Sequence, residues 1–150
     1  MRPSTSGTNA GFTLIEILVV VLIIGLLTTV IATNLIGRAE QAKRQLALTQ
    51  LRTLSDQLEL YRLDNGRYPS EGQGLESLVR EPAGSPAPRN YPRGGYVKSD
   101  SIRDPWGTVY QYHVPGRHNS HSFDLFSLGP DGVEGGEGDN ADIANWEEGI

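Results

Sequence analysis

The sequence predicts an α+β fold: one long N-terminal helix, apolar in its first half and amphipathic in its second, packed on a small C-terminal domain with a short antiparallel sheet. Three observations predict it. An apolar run opens at Phe12 and continues to Ile36, with a single carboxylate, Glu16, near its start. An apolar stripe then recurs at Ala47, Leu51, Leu54, Leu58 and Tyr61, spaced four and three apart, which is one face of a helix. Beyond residue 66 the chain turns to glycine, proline, aromatic and β-branched residues in short runs, the pattern of strands and turns.

The first eleven residues carry one charge, Arg2. Residues 12–36 are long enough, at ~1.5 Å per helical residue, to cross a bilayer core of ~30 Å. A secretory signal peptide would have a shorter apolar run and a small-residue cleavage site after it. An ordinary single-pass anchor explains the length but not Glu16. A carboxylate in lipid costs about 3 kcal/mol at the centre of a span and less near its end, so Glu16 needs a partner. A cut between Gly11 and Phe12 would supply one: the new α-amine of Phe12, its own or a neighbouring subunit's. Repeated in every subunit, that amine–carboxylate pair is a mechanism for assembly.

Gly37 to Arg62 carries the amphipathic stripe, and no proline separates it from the apolar run, so a single helix is expected through both. Asp64-Asn65-Gly66 ends it, with Gly66 suited to the left-handed position after the last turn. The stripe is too short to require a coiled coil and is expected to pack on its own domain. Ser70-Glu71-Gly72-Gln73 reads as a capping box, followed by a short helix with Leu75, Leu78 and Val79 inward. Residues 81–93 hold four prolines and read as a loop. Tyr96-Val97 is expected as a short strand, Asp104-Pro105-Trp106-Gly107 as a type I turn, and 108–114 and 122–128 as two strands joined by a 115–121 hairpin loop.

The chain has 150 residues, no cysteine and a net charge of −5, with its acidic residues concentrated in the last third. The residues beyond 36 suffice for one small domain. The acidic balance argues against a nucleic-acid surface. Without cysteine no disulfide can staple the loops. The glycine-rich acidic stretch 128–142 lacks the spacing of an EF-hand. Two readings of it stay open from the residues: a flexible acidic loop, or a Ca²⁺ site in which Asp131, Asp139 and Asp142 supply carboxylates and the glycines turn carbonyls inward. His118 and His121 read as solvated turn residues with no carboxylate beside them. Glu76, Glu81, Arg38, Lys43 and Arg44 read as solvated or membrane-adjacent charges. No nucleophile elbow or ordered triad is present, and no enzyme is expected.

Gly11 followed by Phe12-Thr13-Leu14-Ile15-Glu16 and an apolar helix resembles the processing signal of type IV pilin-like proteins. The segments LDNGRYPSEGQGLESLV, DPWGTVYQYHVPG and FDLFSLGPDG, in that order, resemble the major pseudopilin family of the type II secretion system. The resemblance covers nearly the whole chain after Gly11. It implies a lollipop-shaped subunit that is the building block of a periplasmic pseudopilus driving protein secretion. A type IV pilin or a minor pseudopilin is the alternative. It implies a leader of residues 1–11 removed by a prepilin peptidase, N-methylation of Phe12, and an assembly role for Glu16. The same resemblance implies a membrane and fibre-core helix at 12–36, a spine at 37–65 and a periplasmic domain at 66–150, anchored in the bacterial inner membrane by a single pass. The partners implied are other copies of the chain in a helical homopolymer, minor pseudopilins, the inner-membrane assembly platform, the prepilin peptidase, and membrane lipid before assembly. The resemblance also favours Ca²⁺ in the 128–142 loop, with Asp131 and Asp142 as carboxylate ligands, Leu128 and Val133 as carbonyl ligands, and Asp139 as a further candidate. Ca²⁺ would then replace the disulfide that many type IV pilins use. Where the family usually has a proline near position 33, this chain has Thr33, and Thr28, Thr29, Thr33 and Asn34 are weak helix formers that could loosen the same stretch.

Overall fold

A computed structural model of the chain describes residues 11–146, and of residues 28–36 the backbone only. The expected leader therefore lies outside the described residues except for Gly11. The elements in order are α1 (Leu14–Asn65), α2 (Glu76–Val79), β1 (Gln111–His113), β2 (Asp124–Ser127), a 3-10 turn at Gly138–Asn140, and β3 (Ile143–Ala144). The chain divides between Ala39 and Glu40 into two compact units.

In the first unit the backbone is helical from Leu14 onward and stays so through Thr33 and Asn34, the stretch expected to loosen. Threonine and asparagine are weak helix formers, but each keeps the backbone N–H that proline lacks, so the hydrogen-bond ladder has no obligatory gap. The apolar side chains from Leu14 to Leu27 are exposed, Leu14 at 86% and Ile15 at 69%. Among the described residues no helix is long and apolar enough to cross a membrane. The last third of the expected 12–36 span has its side chains outside the described residues.

In the second unit the helical stripe is the core. Ala47, Leu51, Leu54, Leu58 and Tyr61 are buried, and they meet Leu75, Leu78, Ile102, Tyr110, Tyr112, Phe123, Leu125 and Ile143. Burying one such aliphatic side chain stabilises by about 1.5–3 kcal/mol, so the periodic stripe alone accounts for much of what holds helix and sheet together. α1 stops at Asn65. Gly66 has φ 78° and donates its N–H to Arg62 O at 2.7 Å, which closes the last turn. Asn65 is itself buried: Nδ2 donates to Tyr61 O, and Oδ1 accepts from the N–H groups of Arg89 and Asn90. The proline-rich loop is thus fastened to the end of the helix. Arg67 fastens it again through Pro86 O and Ala87 O.

Half of the expected capping box is present. Gln73 Oε1 accepts from Ser70 N–H at 3.1 Å, while residues 71–75 are turns and α2 begins only at Glu76. Gly72 and Gly74 in that stretch disfavour helix, and Gly74 adopts φ 57°. Tyr96-Val97 is not a strand. Both N–H groups donate to the same acceptor, Leu78 O, at 2.7 and 3.0 Å, so the segment bends over the end of α2 instead of pairing along an edge.

The sheet has the order β1-β2-β3, antiparallel throughout, with Tyr112 opposite Leu125 and Phe126 opposite Ala144. β1 is shorter than the run 108–114 that predicts it. The first half of that run folds back on 102–104 around the Asp104 turn: Asp104 N–H donates to Thr108 O, Tyr110 N–H to Ile102 O, and Arg103 bridges Val109. The turn has its expected bond, Gly107 N–H to Asp104 O at 2.9 Å. Asp104 Oδ1 accepts from Trp106 and Thr108 N–H, and Ser127 Oγ donates to Asp104 Oδ2 at 2.6 Å, tying the turn to β2. The pattern of residues 143–146 predicts no strand. Two residues carry no readable alternation, and β3 exists because β2 offers it an edge.

Candidate functional site

The N-terminal site is built by the start of α1. Thr13 immediately precedes the helix and Glu16 is its third residue. Glu16 Oε2 accepts from both the N–H and the Oγ1 of Thr13 at 3.0 Å, and Thr13 Oγ1 accepts from Glu16 N–H at 3.3 Å. This is a reciprocal capping box, T-x-x-E, satisfying donors that the helix start leaves over. It also sets a carboxylate at the positive end of the helix dipole. Glu16 therefore has a partner within its own chain, and the spacing Thr13-x-x-Glu16 is the signal that carries it. Gly11 and Phe12 are exposed and lie outside the helix, and none of the described residues approaches within 4 Å of where a side chain on Gly11 would begin.

The second candidate is the loop between β2 and β3. Its two limbs are closed by a paired contact: Gly135 N–H donates to Asp142 Oδ2 at 2.9 Å, and Asp142 N–H donates to Gly135 O at 3.2 Å. Gly136, at φ 88°, lies so close to Asn140 O that a Cβ there would sit 2.5 Å from it, so only glycine lets the limbs meet. Asp131 Oδ1 accepts from Val133 N–H at 3.2 Å, a local turn. Leu128 is half-buried at the loop's start, while Asp131, Val133 and Asp139 are exposed. Among the described residues no group of three or more His, Cys, Asp or Glu side chains is placed to hold a metal ion. One observation points to a cation: Asp142 Oδ1 is buried without a hydrogen-bond partner. A buried, unpartnered carboxylate oxygen is costly, and a cation is one way to satisfy it. The available donors are all oxygens, from carboxylates and carbonyls, which suits Ca²⁺ better than a metal that prefers nitrogen or sulfur.

Two side chains that the sequence places among the solvated charges are engaged. Arg44 Nη1 donates to Asp139 O at 3.0 Å and to Ala141 O at 2.9 Å, so the spine helix grips the returning limb of the loop. His118 stands beside a carboxylate after all: its Nδ1 is 3.2 Å from Asp124 Oδ2, and its ring stacks on Trp146 at 4.0 Å and 10°. Asp124 is buried and accepts from the N–H groups of Arg117, His118 and Asn119 at 2.6, 2.9 and 3.0 Å. Burial pushes its carboxyl up, and the donors from His118, Asn119 and Arg117 together outweigh that and leave it below its ordinary value. Glu40, at the start of the second unit, accepts from Trp106 Nε1 at 2.9 Å. These contacts join residues far apart in the chain, and no spacing within the sequence announces them. A surface groove of about 350 Å³ beside α1, with Thr49, Gln50, Thr53 and Lys98 in its wall, contains none of the candidate site residues.

Residues 34–146 match the family described as type II secretion system (T2SS), protein G, and residues 7–32 match the prokaryotic N-terminal methylation motif. The chain is 50% identical over 138 residues to the type II secretion system core protein G of Vibrio cholerae, covering 92% of each chain. It is 47% identical over 139 residues to the protein of that name from Pseudomonas aeruginosa, covering 93% of this chain and 96% of that one. The crystal structure of the major pseudopilin from the type 2 secretion system of enterohaemorrhagic Escherichia coli superposes with a TM-score of 0.63 at 45% identity, covering 75% of this chain and 89% of that one.

Proposed function

The chain belongs to the type II secretion system protein G family, and on that premise we propose how it serves as a structural subunit of the pseudopilus. The subunit is made with a leader, residues 1–11, and a prepilin peptidase cuts between Gly11 and Phe12 and methylates Phe12. The exposed, non-helical Gly11-Phe12 bond supports this, because a peptidase needs extended, accessible backbone. Residues 12–36 hold the subunit in the inner membrane as a single pass, with the remainder in the periplasm. The exposed apolar side chains from Leu14 to Leu27 support that, since such a surface needs lipid or other copies to cover it. On assembly these apolar segments leave lipid and bundle with one another. Glu16 exchanges its Thr13 contacts for the amine of Phe12 on a neighbouring subunit, which sets the register of the homopolymer. Minor pseudopilins and the inner-membrane platform are the other partners.

The acidic loop takes Ca²⁺ in this reading. Asp142, through the oxygen that lacks a partner, and Asp131 are the carboxylate ligands, with carbonyls from Leu128 and Val133, and Asp139 as a further candidate. Bound there, the ion would neutralise Asp142 and cross-link the two limbs of a loop that no disulfide can close. The observation that carries the whole reading is the joint match of an N-terminal methylation motif and a protein G domain in one chain. Mass analysis of the mature N terminus tests it. The expected product begins at Phe12 with one added methyl group; a chain that retains residues 1–11 in a cell with an active peptidase would overturn it.

A further inference from the structure

We propose that Arg44 is the positioning residue of the cation loop, an inference that rests on the Ca²⁺ reading above. The loop carries Asp131, Glu134, Glu137, Asp139 and Asp142, yet Arg44 reaches past their charges to two main-chain carbonyls, Asp139 O and Ala141 O. Asp139 lies within the 3-10 turn at Gly138–Asn140 and Ala141 directly follows it, next to Asp142. Three further carbonyls of the loop are engaged within it: Glu137 O accepts from Asn140 N–H, Gly138 O from Ala141 N–H, and Gly135 O from Asp142 N–H.

The returning limb is thereby held against α1 by the Arg44 side chain, so Asp142 keeps one oxygen on Gly135 and leaves the other, buried and unpartnered, for the ion. In this arrangement the outgoing limb, where Leu128 and Val133 lie, supplies the carbonyl ligands. Arg44 acts on the ion only through the loop's shape. Its charge acts in the opposite direction, because a guanidinium near a divalent cation repels it. Geometry and charge therefore make opposite predictions for one substitution.

The test is Ca²⁺ titration calorimetry on the full chain in detergent micelles, with hydrogen–deuterium exchange of the same protein in EGTA. Arg44→Gln should weaken Ca²⁺ binding about tenfold, the usual cost of losing a residue that orients a ligand. In EGTA it should speed exchange at Gly135–Asp142 and leave β1 and β2 unchanged. Arg44→Lys, which keeps the charge and can reach one carbonyl, should fall between the two and serves if the Gln variant does not fold. Unchanged or tighter binding in Arg44→Gln overturns the proposal. Absence of any Ca²⁺ binding by the unsubstituted chain overturns the cation reading itself, and this role for Arg44 with it.

Discussion

In the proposed assembly Glu16 has two jobs that can be separated. Within the chain its Oε2 caps the helix start by accepting from Thr13. Between chains its charge is the half that an amine would pair with. Capping needs only an acceptor, which glutamine also has; pairing with an amine in a low-dielectric setting needs the charge. Glu16→Gln should therefore keep the helix start and membrane insertion, yet lose fibre formation, as Glu16→Ala should. Pseudopilus assembly, read by shearing or cross-linking alongside membrane fractionation, makes the distinction. Fibres from Glu16→Gln at the normal level would mean that the cap, not the charge, is what assembly requires.

At the scale of the element, the β1–β2 hairpin loop is held by the carboxylate of the first residue of β2. Asp124 gathers three main-chain N–H groups of residues 117–119 and is sealed by the His118 ring stacked on Trp146. Gly116 permits this closeness, since a Cβ there would sit 2.5 Å from Asp124 Oδ1. Charge-assisted hydrogen bonds are worth about 1.5–3 kcal/mol each at best, so Asp124→Asn should destabilise by about 2 kcal/mol at neutral pH. The folded carboxyl titrates below its ordinary value of 3.8, so its contribution is complete above that value and is lost as pH falls through the lower, folded one. The gap in melting temperature between the native chain and Asp124→Asn should thus hold steady above about pH 5 and close on strong acidification. A gap that widened with acid would contradict the assignment.

The whole molecule has an exposed apolar unit and a compact α+β unit whose long loop lacks a covalent staple. If Ca²⁺ takes the place of the staple, stability should track its concentration: at a hundredfold excess over Kd a bound ion contributes about 2.7 kcal/mol, or several degrees in Tm for a domain of this size. Thermal melts of the full chain in detergent, with Ca²⁺ and with EGTA, measure this directly. Coincident melts would sink the idea.

The long-range order of the chain is legible from local pattern wherever one periodicity or one turn rule suffices. The stripe from Ala47 to Tyr61 names the core face of α1, Gly66 marks its end, and Asp104-Pro105-Trp106-Gly107 makes its turn, because each depends on neighbours in sequence and a single geometric requirement. The spacing Gly11, Phe12, Glu16 is of the same kind. Residues that look alike in sequence are sorted only when the chain folds. Arg44 grips a loop some 95 residues away, though in sequence it reads the same as Arg38 and Lys43. His118 finds a buried carboxylate, Tyr96-Val97 loses its strand to a shared acceptor on Leu78, and β3 forms because β2 has an edge to fill. Local propensity and hydrophobic period are properties of a short window of chain; a polar side chain's partner depends on which distant backbone groups folding leaves unsatisfied, and no window contains both.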